Sequence, residues 1–314
     1  MPPPKILGKP PSPAAPDIHV AFGVDSKYVP ALGACMRSII TNNKDVRIQF
    51  HILTTSLLQS DVDQLASFSE RNGITVQVHF LGPERLSKLP DPKTPRFSGA
   101  IYNRLWICEL LDGVTNRVLY LDADIICLGS MADIMRIGMD GKIVAAVGDV
   151  SQDENKAKIG LVTDEPYFNS GVLYIDIDKW NRSHVTQDVI KTLIESEGKF
   201  PYPDQDALNK VLAGKVTFID KRWNRYFSDL KPDSDTVFLH YTNDKPWQVW
   251  SKNFGDAPFL SNIADTPWSG WEDHKPLSRS QRIRHADKLL KRGKLVNGLY
   301  WYALAVCTPK GKRS

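Results

Sequence analysis

The apolar positions of the chain form short runs that alternate with amphipathic stretches of helical length. Runs of strand type cover 18–22, 46–53, 75–80 and 117–121. Stretches with a helical period lie between them at 29–40, 60–72 and 100–111. This βαβ rhythm predicts an α/β fold with an open, largely parallel sheet and helices on both faces. Ligands of such sheets bind beyond the carboxyl ends of the strands.

The two ends of the chain differ from this central pattern. The first sixteen residues hold seven prolines, and because proline is excluded from helix interiors and central strands, residues 1–16 are predicted to be a disordered leader. The globular domain is expected to cover 17–250. Residues 251–314 form a separate basic and aromatic region, in which 277–314 combines basic and apolar positions at helical spacing.

The composition is that of a globular chain: 314 residues, 42% hydrophobic and 24% charged, which excludes disorder for its bulk. The four cysteines lie far apart without a CxxC pair, which argues against a disulfide scaffold and a structural zinc site and suits a reducing cytoplasm. No apolar run reaches the roughly 18 residues that a membrane span needs. The N-terminus does not resemble a signal peptide, and the net charge of +4 is too small to indicate nucleic acid.

That small net charge conceals an uneven distribution. From Pro276 to Ser314, ten Lys and Arg face a single acidic residue, Asp287, so this tail carries +9 and the rest of the chain −5. An aromatic and apolar block at 299–306 follows the basic stretch. Such segments are typical of proteins that attach peripherally to an anionic membrane surface, here the inner face of the cytoplasmic membrane. The alternative is a solvated helix with an apolar anchor that packs on the domain.

The candidate chemistry lies where strands end. Asp122 and Asp124 follow a buried strand, and these two carboxylates share a divalent ion such as Mg²⁺ or Mn²⁺ only if the chain bends there. Two turn aspartates that merely end the strand are the structural alternative. His240 ends a later apolar run, and an imidazole with two carboxylates favours Mn²⁺ over Ca²⁺. Lys245 follows within reach of a diphosphate bound to that ion.

Two further segments carry polar residues next to apolar runs. In the first, Asp204 is predicted to cap a helix and Asp206 to favour its positive end, which leaves the neighbouring Gln205 unexplained. In the second, a polar turn opens the apolar strand at 172–175. Its Gly171 permits the backbone to approach a ligand closely.

Together these segments resemble glycosyltransferase family 8, whose members are retaining enzymes with a single Rossmann-like nucleotide-sugar-binding domain of the GT-A type. The resemblance covers about residues 17–250 and is greatest to bacterial lipopolysaccharide core galactosyl- and glucosyltransferases, which append a basic aromatic C-terminal region. It implies transfer of a hexose from UDP-galactose or UDP-glucose to a lipopolysaccharide core or another lipid-linked oligosaccharide. The matching blocks, in the family's order, are FGVDSKY at 22–28, YNRL at 102–105, LYLDAD at 119–124, FNSGVL at 168–173, DQDALN at 204–209 and HYTNDKPW at 240–247.

The resemblance also implies a role for individual residues. Mn²⁺, or alternatively Mg²⁺, would be bound by Asp122, Asp124 and His240 and would hold the UDP diphosphate. Lys245 would add a positive charge that stabilises the leaving group. The remaining donor-binding positions would be Phe22, Gly23, Asp25 and Tyr28 around the uracil and ribose, together with Ala123 and Asn169. Arg104 and Asp204 would hold sugar hydroxyls, and Gln205 would lie beside the anomeric carbon.

Retention of configuration leaves two routes open. Retaining enzymes normally use a carboxylate nucleophile, whereas Gln205 is an amide. Either the acceptor attacks from the side of the leaving group, or Asp206 moves in to form a covalent intermediate. The chain also departs from the family at Asn243, which takes the place of a glycine and leaves four rather than five residues between His240 and Lys245.

Three other functions share part of this pattern. A self-glycosylating primer protein of the glycogenin type would need a tyrosine acceptor, for which the tail offers Tyr300 and Tyr302. A non-catalytic glycan-binding relative would be expected to lose a metal ligand, yet the sequence retains all three. A haloacid-dehalogenase-type phosphatase would carry Thr or Val where this chain has Ile126, and its paired aspartates would follow the first strand.

Overall fold

The computed structural model describes residues 3–10, 14–92, 98–162, 164–227, 232–242, 245–251, 256–271 and 276–307. The strands of these residues are β1 Lys5–Gly8, β2 Ile18–Gly23, β3 Ile48–Thr54, β4 Thr75–Phe80, β5 Arg117–Leu121, β6 Ile125–Cys127, β7 Val144–Gly148, β8 Phe168–Asp176, β9 Val216–Phe218, β10 Arg225–Tyr226 and β11 Phe238–His240.

The α-helices are α1 Val29–Asn42, α2 Gln59–Asn72, α3 Ile107–Leu110, α4 Gln152–Ile159, α5 Ile177–Arg182, α6 Val185–Glu195, α7 Pro203–Val211, α8 Ala257–Ala264, α9 Arg279–Lys291 and α10 Leu295–Val306. Short 3₁₀ helices cover Ser26–Tyr28, Pro83–Arg85, Gly99–Trp106, Ala132–Arg136 and Lys221–Trp223.

Eight strands form one twisted sheet in the order β1-β4-β3-β2-β5-β8-β7-β9, and β10, β11 and β6 form a small second sheet. The block β4-β3-β2-β5 is parallel, whereas β8 runs antiparallel to both β5 and β7. One buried apolar cluster joins α1 and α2 to one face of the large sheet, and a second joins α5, α6 and α7 to the other. The mixed, mostly parallel α/β fold predicted from the sequence is therefore confirmed.

The order of the strands explains where a site can form. Parallel β2 and β5 are neighbours and end at the same sheet edge, while the antiparallel β8 begins there. Asp122 follows β5 directly, and its backbone N–H donates to the carbonyl of Gly171 at 2.8 Å. Strand ends from distant parts of the sequence thus meet at one place.

Two predicted elements differ from the structure. Residues 5–8 of the predicted disordered leader form the edge strand β1, which pairs antiparallel with β4, so the prediction was wrong for them. The prolines flank this segment rather than interrupt it, and an edge strand tolerates them. The predicted helix at 100–111 is mostly the 3₁₀ helix Gly99–Trp106, within which Arg104 donates to the carbonyl of Ser170 at 2.7 Å. Contacts with other strands there override helix propensity.

The C-terminal region forms a helical hairpin of α9 and α10. The two helices approach closely at Gly298, where a Cβ atom would lie 2.6 Å from Cγ of Leu290. The Nδ1 atom of His285 lies 2.9 Å from the carbonyl oxygen of Val249, which anchors the hairpin to the chain that follows Lys245. Among the residues described, no helix is long and apolar enough to cross a membrane.

Candidate active site

Asp122, Asp124 and His240 converge at the edge of the large sheet. The chain leaves β5 at Leu121, turns through the two aspartates and resumes as β6. Strand β11 pairs antiparallel with β6 and places His240 opposite Ile125. Ligand atoms of the three residues all lie within 4.8 Å of one another. The bend that the sequence required at the aspartates is therefore present, and the three predicted ligands are brought together.

The surroundings of these three side chains suit a divalent cation. The Nε2 atom of His240 lies 3.1 Å from Oδ1 of Asp124 and 3.8 Å from Oδ2 of Asp122. Oδ1 of Asp124 is buried, and no described residue donates a hydrogen bond to it. Two carboxylates and one imidazole are a donor set that Mn²⁺ accepts readily. The residues present therefore fit the predicted metal.

Gly171 leaves room for this cluster. A Cβ atom on Gly171 would lie 2.9 Å from both Oδ2 of Asp122 and Nδ1 of His240. Sequence reasoning predicted a close approach between this glycine and a ligand. The structure shows a close approach to the side chains of Asp122 and His240 themselves.

Lys245 lies at the same place and is buried. Its ammonium group donates to a carboxylate oxygen of Asp124 and to the carbonyl of Tyr241. Burial disfavours the charged form of Asp124, but Lys245 and His240 outweigh that effect and hold the pKa of Asp124 below its ordinary value. Lys245 therefore reaches the predicted metal site. Asn243, at the position where the chain departs from the family, lies outside the described residues.

Arg104 joins the metal cluster to the N-terminus of α7. Its guanidinium donates to Asp122 at 2.9 Å and forms an ion pair with Asp204 at 3.1 Å. Burial opposes the charge on Arg104, but Asp122 and Asp204 raise its pKa above the ordinary value. Asp204 is the second residue of α7, and Tyr202 occupies the cap position, so the predicted capping role of Asp204 was wrong. The charge of Arg104 holds Asp204 at the cleft instead.

Gln205 faces the cleft, whereas Asp206 does not. Asp206 is 1% exposed, and its carboxylate accepts hydrogen bonds from the Tyr167 hydroxyl at 2.5 Å and the Tyr202 N–H at 2.8 Å. Burial raises the pKa of Asp206 to about 6. In this conformation Asp206 is absent from the described cleft lining, so it does not stand where a nucleophile would.

The cleft has a cavity volume of about 280 Å³ and extends from the metal cluster to the ends of β2 and the Ser26–Tyr28 turn. Phe22 does not line it, because its side chain is fully buried and stacks on Phe50 in the core. Of the residues predicted to surround the uracil and ribose, Phe22 therefore contributes no side chain to the cleft. The predicted residues that do line the cleft are Gly23, Asp25, Tyr28, Arg104, Asp122, Ala123, Asp124, Asn169, Asp204, Gln205, His240 and Lys245.

Sequence reasoning missed several polar residues of the site. Asp149 follows β7 at the same sheet edge and accepts a hydrogen bond from the Tyr226 hydroxyl at 2.7 Å, so the strand-end rule could have found it. Asn224 precedes β10 and contacts His240. Nothing in the local sequence indicates that contact, because it depends on the pairing of β10 with β11.

A mixed, mostly parallel α/β sheet with a cleft and a carboxylate–histidine cluster at its strand ends is an arrangement that suits a sugar-nucleotide-dependent transferase. The sequence profile of glycosyl transferase family 8 matches residues 19–251, and the chain belongs to this family. It is 32% identical over 251 residues to a lipopolysaccharide 1,2-glucosyltransferase of Escherichia coli K12, covering 74% of each chain. It is 29% identical over 302 residues to a lipopolysaccharide 1,3-galactosyltransferase of Salmonella typhimurium, covering 90% of this chain and 89% of that protein.

The fold also resembles solved structures. Superposition on the galactosyltransferase LgtC, solved in complex with donor and acceptor sugar analogues, gives a TM-score of 0.69 at 23% sequence identity. The match covers 81% of this chain and 99% of LgtC. A second LgtC structure, of an active-site mutant, gives a TM-score of 0.72. The GT-A-type fold predicted from the sequence is thereby confirmed.

Proposed function

We propose that this protein transfers a hexose, with retention of configuration, from UDP-glucose or UDP-galactose to a lipopolysaccharide core or another lipid-linked oligosaccharide. The observation that carries the proposal is the convergence of Asp122, Asp124 and His240 at one end of a cleft that reaches Asp25 and Tyr28 at the other. Relatives named as lipopolysaccharide glucosyl- and galactosyltransferases support the choice of donor and acceptor.

The three converging side chains would hold Mn²⁺, with Mg²⁺ as the alternative. The ion would neutralise charge on the diphosphate of the donor as the sugar leaves. Lys245 would add a further positive charge at the leaving group, for which it would exchange its contact with Asp124. Gly23, Asp25 and Tyr28 would surround the uracil and ribose.

Arg104 and Asp204 would bind the hydroxyl groups of the transferred hexose. Their ion pair is buried and held from two sides, so it presents fixed donors and acceptors to the sugar. Fixed polar groups of this kind discriminate between substrates through hydroxyl contacts, because a mismatched sugar leaves them unpaired. The pair is therefore the place where a preference for glucose or galactose would arise.

The geometry favours attack by the acceptor from the side of the leaving group. Gln205 is an amide and a poor nucleophile, and Asp206 is engaged by Tyr167 and Tyr202 away from the cleft. A covalent route would first have to break both hydrogen bonds. In the alternative route, the departing diphosphate oxygen accepts the proton of the acceptor hydroxyl while the new glycosidic bond forms on the same face. The anomeric configuration is thereby retained.

The test is a panel of UDP-sugars with Mn²⁺ and truncated lipopolysaccharide. UDP release and the anomeric configuration of the product would be measured together. We expect UDP-glucose or UDP-galactose to be used and the product to keep the α configuration of the donor. Transfer from neither sugar, or inversion of the anomeric centre, would contradict the proposal.

We further propose that the hairpin of α9 and α10 attaches the protein to the cytoplasmic face of an anionic membrane. Its apolar side chains form an exposed stripe along α10. The last residue of α9 and the turn that follows it carry Lys291, Arg292 and Lys294 at the surface. Such a combination buries apolar groups among the lipids and pairs basic groups with anionic headgroups. The exposed members of the stripe are Leu295, Val296, Leu299, Tyr300 and Val306. Lys310, Lys312 and Arg313, which add to the predicted charge, lie outside the described residues.

A further inference from the structure

We propose that Asn224 is a positioning residue that sets the tautomer of His240 and links the metal site to Gln205. The inference rests on the proposed function in so far as His240 is a metal ligand. Asn224 is 2% exposed and lies between the 3₁₀ helix Lys221–Trp223 and β10. Strand β10 pairs with β11, so Tyr226 stands opposite His240 and Asn224 comes within reach of the imidazole.

Two backbone N–H groups determine the orientation of the side-chain amides in this part of the site. A backbone N–H can only donate, so the atom that it contacts must be an acceptor. The N–H of Gly171 contacts the side chain of Asn169 at 2.9 Å, which identifies that atom as Oδ1. The N–H of Ser170 contacts Gln205 at 3.0 Å, which identifies Oε1. The Asn169 Nδ2 group then donates to Gln205 Oε1 at 2.9 Å, so both assignments agree.

The same logic extends to the histidine. Oδ1 of Asn169 also contacts Asn224 at 2.8 Å, and because Oδ1 is an acceptor, the Asn224 atom must be Nδ2. The Asn224 Oδ1 atom is therefore the one that lies 2.9 Å from Nδ1 of His240. An amide oxygen accepts only, so Nδ1 of His240 carries the proton. With that proton on Nδ1, Nε2 is the ring nitrogen left to face Asp122 and Asp124.

This tautomer is the one that a metal requires. A metal-ligating histidine usually donates its other ring N–H to an oxygen, which fixes the ring and makes the ligating nitrogen more basic. A cation bound beside Asp122 and Asp124 would meet Nε2, the nitrogen that the Nδ1–H hydrogen bond leaves available. Asn224 thus prepares the imidazole for the ion before the ion binds.

Through its Nδ2 group, Asn224 also contacts Asn169, which in turn contacts Gln205. Asn169 Oδ1 accepts from both Gly171 and Asn224, and the amide of Asn169 holds the oxygen of Gln205. Loss of the Asn224 donor removes one of the two hydrogen bonds from Gly171 and Asn224 that Oδ1 of Asn169 accepts. The position of Gln205 in the cleft then becomes less well defined. A buried asparagine with a purely structural role would affect neither the tautomer nor Gln205.

Two substitutions distinguish the hydrogen bond between Asn224 and His240 from the one between Asn224 and Asn169. Asn224→Leu removes both hydrogen bonds. Asn224→Asp keeps an oxygen that accepts from Nδ1 of His240. It replaces the Nδ2 donor by a second oxygen, which cannot donate to Oδ1 of Asn169. The matched control is Asn43→Leu, because Asn43 is also buried and also bonds through both ends of its amide, to Ile39 and Met131.

The first measurement needs no metal. The ¹⁵N shifts of His240, assigned by their loss in His240→Gln, report which ring nitrogen is protonated at neutral or mildly alkaline pH. We expect the Nδ1–H form in the wild type, in Asn43→Leu and in Asn224→Asp, and a mixture of tautomers in Asn224→Leu. An Nε2–H form in the wild type, or an unchanged tautomer in Asn224→Leu, would overturn the proposal.

The second measurement is Mn²⁺ affinity with UDP present, followed by the signal of free Mn²⁺ in electron paramagnetic resonance. Asn224→Leu should bind Mn²⁺ about tenfold to a hundredfold more weakly. Asn224→Asp should keep the affinity but lower kcat with little change in KM for the donor. Equal Mn²⁺ affinity in the wild type and Asn224→Leu would contradict the inference. If the wild type bound no Mn²⁺, the proposed function would fail instead, and the tautomer would still decide the role of Asn224.

Discussion

At the scale of the residue, the site depends on a position that has no side chain. Gly171 lies within the first half of β8, and the imidazole of His240 and the carboxylate of Asp122 occupy the space that its Cβ would take. The sequence predicted that a glycine was needed here but gave no indication of its neighbours. They come from β11 and from the turn after β5, far away along the chain.

Replacing this glycine tests that dependence. In Gly171→Ala, the new methyl group must displace His240 or Asp122, and we expect Mn²⁺ binding to weaken at least tenfold while the fold survives a loss of about 1–3 kcal/mol. Calorimetric titration with Mn²⁺ and thermal unfolding would be measured. Gly129→Ala is the control, because its Cβ would meet only ordinary contacts at 3.6 Å or more. Equal Mn²⁺ affinity in both variants would show that the site tolerates the methyl group.

Sequence patterns identified the chemistry of individual residues better than their orientation. Asp122, Asp124 and His240 were predicted because each lies at the end of an apolar run and within a block that matches the family. Phe22 and Asp206 lie in matching blocks, yet Phe22 points into the core and Asp206 bonds to Tyr167. Which way a side chain faces depends on packing partners that are distant in sequence, so a motif alone cannot settle it.

At the scale of the element, three neighbouring strands carry a row of buried histidines. Nδ1 of His19 on β2 lies 2.9 Å from Nε2 of His51 on β3, whose Nδ1 lies 3.1 Å from Nε2 of His79 on β4. Each of these hydrogen bonds needs one proton. The row can therefore bind at most one proton more than its neutral rings carry without losing a hydrogen bond. Burial lowers the pKa of all three rings, that of His79 to about 4.

This row predicts how stability depends on pH. Because folding lowers these pKa values, the unfolded chain binds more protons, and the free energy of unfolding should fall as the pH drops from 6.5 towards 4. The contribution of His79 alone is on the order of 3 kcal/mol. Urea unfolding across this range should show a shallower pH dependence in His79→Gln than in the wild type. The raised pKa of Asp206 has the opposite effect on the free energy of unfolding, but this effect is present in both proteins and cancels in the comparison.

The control for the histidine row is the exposed His184, which adopts a left-handed backbone at φ 53°. Asparagine tolerates that conformation, so His184→Asn should change the pH dependence of unfolding very little. A slope in His79→Gln equal to that of the wild type would contradict the role assigned to the row.

Periodicity predicted most of the central strands and helices because their apolar positions repeat locally. β4 and β5 were predicted with their exact bounds, and α1 and α2 within two residues at each end. The edge strand β1, the 3₁₀ helix Gly99–Trp106 and the pairing of β6 with β11 were not predicted. Each of these depends on hydrogen bonds between segments that lie far apart in the sequence.

At the scale of the whole molecule, charge is separated between an acidic domain and a basic C-terminal hairpin. The carbonyl of Val249 links the hairpin to the segment that begins at Lys245, so the hairpin is attached close to the site. A protein bound to the membrane through this hairpin holds its cleft near acceptors that are embedded in the same membrane. Transfer to such acceptors should then depend on the hairpin, whereas the chemistry itself should not.

The double substitution Leu299→Ser and Tyr300→Ser tests whether membrane binding and the chemistry of the site are separable. These residues are 63% and 60% exposed, and their replacement should weaken binding to phosphatidylglycerol vesicles about tenfold, because apolar area no longer enters the lipid. Cosedimentation at rising salt and UDP-hexose hydrolysis without vesicles would be measured. Hydrolysis should be unchanged, and binding of the wild type should fall with salt. The control is Leu260→Ser on α8, which is 49% exposed. Vesicle binding as strong as that of the control would contradict membrane attachment through α10.

The most direct test of the account is metal-dependent hexose transfer. Labelled hexose would be followed from its UDP donor to truncated lipopolysaccharide, with Mn²⁺ present, in the wild type, in Asp122→Asn, in Asp124→Asn and in the surface control Asp63→Asn. We predict that both site variants lose about a hundredfold or more in kcat/KM, because the charge on the departing diphosphate is no longer neutralised, while Asp63→Asn transfers normally. Transfer by Asp122→Asn or Asp124→Asn at the rate of the wild type would contradict the central claim.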